Sequence, residues 1–196
     1  MELRRFSKAR GTSPSPHTAK PTVRSMTSTG AVDVYVAAGS NVRPLHNLAR
    51  ALEMLRERFG AVRVSQAYRN AAVGFDGPDF VNLAVGFRGN EPVREVIAAL
   101  RHIEEECGRP RHAAKWTSRS MDLDILLYGD QVSDEPGVKI PRPDLLRRAY
   151  MLGPLAEIAG EVTHPLAHQT IAELWRSFDQ TAHPMTPVTL DPPPPK

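Results

Sequence analysis

The stretch KWTSRSMDLDILLYG, residues 115–129, decides how the chain folds. Its second half reads as a strand. Side chains on a strand alternate between faces, so Leu123, Ile125 and Leu127 share one face, and Asp122, Asp124 and Leu126 point the other way. Burying unpaired carboxylates is costly. The strand therefore belongs to a sheet with one face covered and one open, and the two aspartates stand on the open face.

Working outward, the elements alternate. DVYVAA (33–38) reads as a strand ending at Gly39. PLHNLARALEMLRERFG follows with Leu45, Leu48, Leu52, Leu55 and Phe59 at helical spacing and Gly60 as a stop. VRVSQAYRN is a second strand, AAVGFDGPD a loop and FVNLAVGF a third strand. EPVREVIAALRHIEEECG is a second helix with Pro92 in its first turn. A basic loop, RPRHAAKWTSRS, leads into the opening strand. Beyond it come a short strand pair, a helix around LLRRAYMLGPLAEIAG and a small helix, TIAELWRSF. The order is β-α-β-β-α-β, a mixed α/β (α+β) pattern of ferredoxin-like type. It predicts an antiparallel sheet with both helices on one face and a C-terminal helical extension.

The 196 residues suit one domain with tails. Residues 1–31 are rich in Ser, Thr, Pro, Arg and Lys and read as a disordered tail. The segment superficially resembles a transit peptide, and Met26 offers an alternative start. Residues 32–180 form the domain, and 181–196 read as a second, proline-rich disordered tail. One cysteine, Cys107, leaves no intrachain disulfide and fits a reducing, cytoplasmic setting. No apolar run is long enough for a bilayer. A net charge of +3 is too small to argue for nucleic acid.

Alternation places Tyr35 of the first strand and Phe80 and Asn82 of the third beside Asp122 and Asp124. Two carboxylates at i and i+2 lie about 7 Å apart at Cα and repel unless a cation intervenes. Mg²⁺ takes one or two carboxylates and completes its shell with water and substrate phosphates. Arg109, Arg111, His112, Lys115 and Arg119 are near in sequence and suit those phosphates. Alone, an Asp-x-Asp is more often a solvated strand end; the basic, Trp-containing loop before it favours a nucleotide-phosphate site. Trp116 suits stacking on a heterocycle or anchoring a loop. The Asn82 amide can read a heterocycle edge. Glu104 reads as a solvated helix position, and GSN (39–41) as an ordinary strand-to-helix turn. The seven histidines show no zinc spacing.

VAAGSN, AYRN, DFVNLAV, GRPRHAAKW and above all RSMDLDILLYG, followed by IPRPDLLRRAYMLGPLAEIA, resemble the 6-hydroxymethyl-7,8-dihydropterin pyrophosphokinase family. The resemblance implies transfer of pyrophosphate from MgATP to the pterin hydroxymethyl group, giving AMP and the pterin diphosphate in folate biosynthesis. It implies that Asp122 and Asp124 hold two Mg²⁺ ions, with Arg109 and Arg119 also catalytic. It implies a pterin site of Asn70, Ala71, Val73, Phe80, Asn82, Trp116 and Tyr150. It implies a nucleotide site of Glu104, Arg111, His112, Lys115, Ile125, Arg142 and Arg148. Thr117 stands where the family keeps Gly or Ala, Arg142 where histidine is usual, and Tyr150 where phenylalanine is usual. The partners implied are ATP and a reduced pterin, with no nucleic acid, no membrane and a monomeric protein. Two alternatives remain at this point. One is a family member with altered or lost activity. The other is an RNA-recognition module of similar topology.

Overall fold

The computed structural model describes residues 30–109 and 118–190. Strand β1 (Val32–Ser40) runs into helix α1 (Pro44–Phe59). Pro44 opens the helix, and Gly60 ends it at a φ of 79°, which favours glycine. The expected second strand is two short pieces, β2 (Arg63–Val64) and β3 (Ala67–Asn70). Strand β4 (Phe80–Gly89), helix α2 (Val93–Glu106) and strand β5 (Asp122–Tyr128) complete the βαββαβ unit. The main sheet has the order β5-β1-β4-β3, and these neighbours pair antiparallel. This is the split βαβ arrangement that the sequence predicts.

Leu48, Leu52 and Leu55 of α1 and Val96, Leu100 and Ile103 of α2 form one core layer with Val34, Val36, Leu83, Val85, Leu123 and Ile125. Each of these residues is buried. Burying one such side chain stabilises the fold by about 1.5–3 kcal/mol.

Three expectations need correction. Leu127 does not share a face with Leu123 and Ile125; it packs on the opposite layer with Leu126. Tyr35 faces Leu127 while Val36 faces Ile125, so Leu126 is an extra residue in β5. Such a bulge reverses the alternation beyond it. Tyr35 does not reach the site either. Helix α3 (Ala149–Ala159) crosses the second face, where Met151, Leu152 and Leu155 share a core with Tyr35, Ala37, Ala84 and Leu126. Helix α3 thus covers the middle of the second face and leaves it open at the end where β5 begins.

The third correction concerns the C-terminal tail. Thr186–Val188 forms β8, an edge strand on β3, and Leu190 is buried in the first core. Three residues including a proline carry no periodicity, and an edge strand tolerates proline. Residues 1–29 and 191–196 lie outside the described residues. The expected strand pair is present as β6 (Ser133–Glu135) and β7 (Val138–Ile140). So is the terminal helix α4 (Ile171–Ser177), started by a capping box between Thr170 and Glu173.

Candidate active site

At the start of β5, Asp122 and Asp124 form the shared wall of two cavities. The first, of about 570 Å³, lies between α2, β5 and the segment from Gly137 to Asp144. Glu104, Arg109, Ile125 and Lys139 line it. The second, of about 350 Å³, lies between the β3–β4 loop and the start of α3. Asn70, Val73, Phe75, Phe80, Asn82 and Tyr150 line it. Arg119, Arg142 and Asp144 line both, as the two aspartates do.

Arginines surround the carboxylates. Asp122 Oδ1 accepts from Arg109 Nη1 at 2.7 Å and from Arg119 Nη1 at 3.0 Å. Asp124 Oδ1 accepts from Arg142 Nη1 at 2.8 Å. Burial and then the Asp122 charge nevertheless push Asp124 up to about 6. Two hard carboxylate groups opening onto both cavities, one still held above its ordinary range by burial and then by the other's charge, fit a divalent cation of the Mg²⁺ type. Among the described residues no third acidic, histidine or cysteine ligand joins them, so water and phosphate oxygens would complete such a shell.

Glu104 is not a solvated helix position. It is buried, its Oε1 accepts the Leu123 N–H at 2.7 Å, and it pairs with Arg109. Burial pushes it up to about 7, against the pull of the Leu123 N–H and Arg109. It thereby ties α2 to the strand that carries both aspartates.

The second cavity has its own order. Asn82 Nδ2 donates to Asn70 Oδ1 at 2.7 Å, and Phe75 meets Phe80 edge-on with ring centres 6.3 Å apart. Gly39 faces Asn82 across β1 and β4. A Cβ on Gly39 would fall well inside contact distance of Asn82 Oδ1, so glycine is what lets the amide sit there. Burial raises the Tyr150 phenol above its ordinary range, keeping it neutral.

Most of the expected residues come together, with qualifications. Arg111, His112, Lys115 and Trp116 lie outside the described residues, as does Thr117. Ala71 is exposed and does not line the second cavity; its carbonyl accepts from Asn70 Nδ2. Arg148, expected on the nucleotide side, lines the second cavity with Tyr150. Phe75, Asp144 and Met151 are lining residues that the sequence reading missed. Phe75 left a signal, an aromatic residue between turn formers in GFDGPD; Asp144 left none.

Comparison with known proteins narrows what this geometry belongs to. Residues 35–160 match the family described as 7,8-dihydro-6-hydroxymethylpterin-pyrophosphokinase (HPPK). A 2-amino-4-hydroxy-6-hydroxymethyldihydropteridine pyrophosphokinase from Synechocystis is 37% identical over 150 residues, covering 75% of this chain and 76% of the relative. The Pseudomonas aeruginosa protein of the same name is 39% identical over 137 residues, covering 67% of this chain and 83% of that one. The fold also matches a Plasmodium falciparum HPPK-DHPS triple mutant crystallised with SDX-DHP, at a TM-score of 0.60 and 15% identity. That match covers 76% of this chain, which spans 44% of the longer Plasmodium chain. The chain belongs to the 7,8-dihydro-6-hydroxymethylpterin-pyrophosphokinase family.

Proposed function

We propose that this protein transfers the β,γ-pyrophosphoryl group of ATP to the hydroxymethyl oxygen of 6-hydroxymethyl-7,8-dihydropterin, in folate biosynthesis. The observation that carries this reading is the shared wall. A charged cavity and an aromatic cavity meet at Asp122 and Asp124, so groups bound in each meet there too. The charged cavity takes the nucleotide: Arg109, Arg119 and Arg142 reach phosphate oxygens, and Ile97, Leu100 and Ile125 face the apolar parts. The second cavity takes the pterin, with Phe75 and Phe80 against the ring and Asn82 and Asn70 at its polar edge.

In the transfer, the hydroxymethyl oxygen forms a bond to the β-phosphorus. The bond from that phosphorus to the α,β-bridging oxygen breaks, AMP leaves with that oxygen, and the hydroxyl proton passes to solvent. Asp122 and Asp124 would hold two Mg²⁺ ions, which supply charge neutralisation of the triphosphate. The chain itself contributes position and charge. Arg119 and Arg142 face both cavities and stabilise the negative charge on the transferred group. Glu104 fixes the register of α2 on β5 through the Leu123 N–H.

The cytoplasmic, monomeric setting expected from the sequence belongs to this proposal; the free, buried Cys107 suits a reducing compartment. Among the described residues, no helix is long and apolar enough to cross a membrane. The RNA-recognition alternative loses its platform, because α3 covers Tyr35, Ala84 and Leu126 on the face such a module would use.

Incubation with Mg²⁺, ATP and the reduced pterin should release AMP, and Asp122→Ala or Asp124→Ala should slow that release by at least about 10²-fold. Pterin bound without AMP formation by the unmodified protein would favour a family member that has lost its activity.

A further inference from the structure

The two aspartates of β5 are held in unlike ways. Asp122 Oδ1 is shared by Arg109 and Arg119, and Arg109 is also tied to Glu104. The Arg119 main chain is pinned as well. Asn41 Oδ1 accepts its N–H at 2.6 Å, and the same amide donates through Nδ2 to the Pro78 carbonyl at 3.1 Å. Asp124 pairs with one guanidinium, that of Arg142, at 2.8 Å. The Arg142 backbone is fixed: its N–H donates to the Leu126 carbonyl at 2.9 Å, and its carbonyl accepts from Leu145 N at 3.1 Å. The guanidinium is held less firmly. Among the described residues its partner is Asp124 alone, and the buried Nε has none. A buried donor without an acceptor is costly, so this resting position leaves the Arg142 side chain incompletely satisfied. The side chain is 34% exposed and stands where both cavities meet.

We infer that Arg142 is a resident cation on Asp124 that admits a divalent ion there only when a nucleoside triphosphate enters the charged cavity. The guanidinium bonds the carboxylate that such an ion would use. Placing a doubly charged ion beside it adds like-charge repulsion, which is strong away from bulk water. A bare ion must therefore displace Arg142, and that leaves a part-buried guanidinium with no partner. A triphosphate changes the balance. Its oxygens accept from Nη1 and from the unsatisfied Nε together, a forked and charge-assisted contact that suits arginine. Arg142 then moves from carboxylate to phosphate, and Asp124 is released to the ion. The exchange belongs to Asp124 rather than Asp122, because Asp122 keeps a second guanidinium when either one leaves. The inference rests on the pyrophosphokinase reading of the charged cavity.

The test measures binding rather than turnover, with Mn²⁺ as the probe and its paramagnetic resonance in solution as the measure of free ion. Without nucleotide, Arg142→Gln is neutral and should bind Mn²⁺ at least about tenfold more tightly than the unmodified protein. Adding Asp124→Asn to Arg142→Gln should remove that gain. Arg142→Lys keeps the charge and should stay within about threefold of the unmodified protein. Calorimetry with Mn²⁺ and α,β-methylene-ATP, whose methylene bridge blocks transfer, should give the opposite order. There Arg142→Gln should bind the nucleotide complex at least about fivefold more weakly. Opposite shifts are the signature, because a purely structural role weakens both. Bare Mn²⁺ bound no more tightly by Arg142→Gln would overturn the inference. So would a gain that survives loss of the Asp124 carboxylate, or the same gain in Arg142→Lys. Arg142→Gln binding the nucleotide complex as tightly as the unmodified protein, or more so, would also overturn it, since Arg142 would then repel cations without reaching phosphate. An unmodified protein that does not bind the nucleotide complex at all would overturn the functional reading beneath it, whatever the bare-ion constants.

Discussion

The two cavities use the same strand differently. On the charged side, α2 and β5 are pinned by Glu104, Arg109 and Asp122, so that wall is held by ion pairs. On the aromatic side, the wall is a loop and the start of a helix, and order comes from Phe75 on Phe80 and Asn82 on Asn70. Ionic partners hold their strength when the ligand is charged; aromatic walls and one amide pair suit a flat, neutral ring. One pair of aspartates can serve both because it stands where the second sheet face emerges from under α3.

Removing the shared element should have the largest effect. Asp124→Ala should lower kcat by at least about 10²-fold, the scale of losing one preorganised electrostatic group. KM for the pterin should stay nearly fixed. A variant that loses pterin affinity and keeps kcat would show that the aspartate belongs to one cavity rather than to the joint.

Next come changes that should separate the two sides. Asn82→Ala removes a buried hydrogen bond worth about 1–3 kcal/mol once its partner is left unsatisfied. The pterin KM should rise roughly fivefold or more by that amount, while the ATP KM stays within about twofold. Arg109 lines the charged cavity and not the aromatic one, so Arg109→Ala should do the reverse on the nucleotide side, through loss of its charge-assisted bonds. Equal shifts in both constants for either variant would break the division. Gly39→Ala is expected to act like a weaker Asn82 variant, because the added methyl displaces the Asn82 amide. Overpacking of this kind costs about 1–3 kcal/mol of stability, so a lowered midpoint should accompany the pterin defect.

The smallest expected effect is on pH dependence. Glu104 is raised from 4.5 to about 7 in the folded chain. The folded state therefore binds its proton more tightly than the unfolded one. Its contribution to stability is fully present below about 4.5 and is lost as pH rises through about 7. Thermal unfolding of the unmodified protein between pH 5 and 8 should show this decline, to which Asp124, raised to about 6, adds, and Glu104→Gln should reduce it. An unchanged slope would remove Glu104 from the account of the charged wall.

Much of this was legible in the chain. Period-two patterning put Asp122, Asp124, Phe80 and Asn82 on one face, and helical spacing found α1 and α2. What escaped has physical causes. Leu126 adds a residue to β5 that no alternation rule foresees, so Leu127 changed sides. Tyr35 has the pattern of an outward residue, and only the packing of α3 buries it. Strand β8 is too short to show a period and gains its partners from β3. Glu104 looked solvated because a buried carboxylate on a helix is recognisable only from its partners. The GSN turn looked ordinary because both of Asn41's partners are distant in sequence.

The central claim is that one joint serves a single transfer between two cavities. It is tested most directly with ATP labelled on both its β and γ phosphorus atoms, supplied with Mg²⁺ and the reduced pterin. The account predicts both labels on the pterin, in equal amount, with one unlabelled AMP released for each pterin modified. Label from the γ phosphorus alone with ADP released, or both labels released as free pyrophosphate with the pterin unmodified, would contradict it.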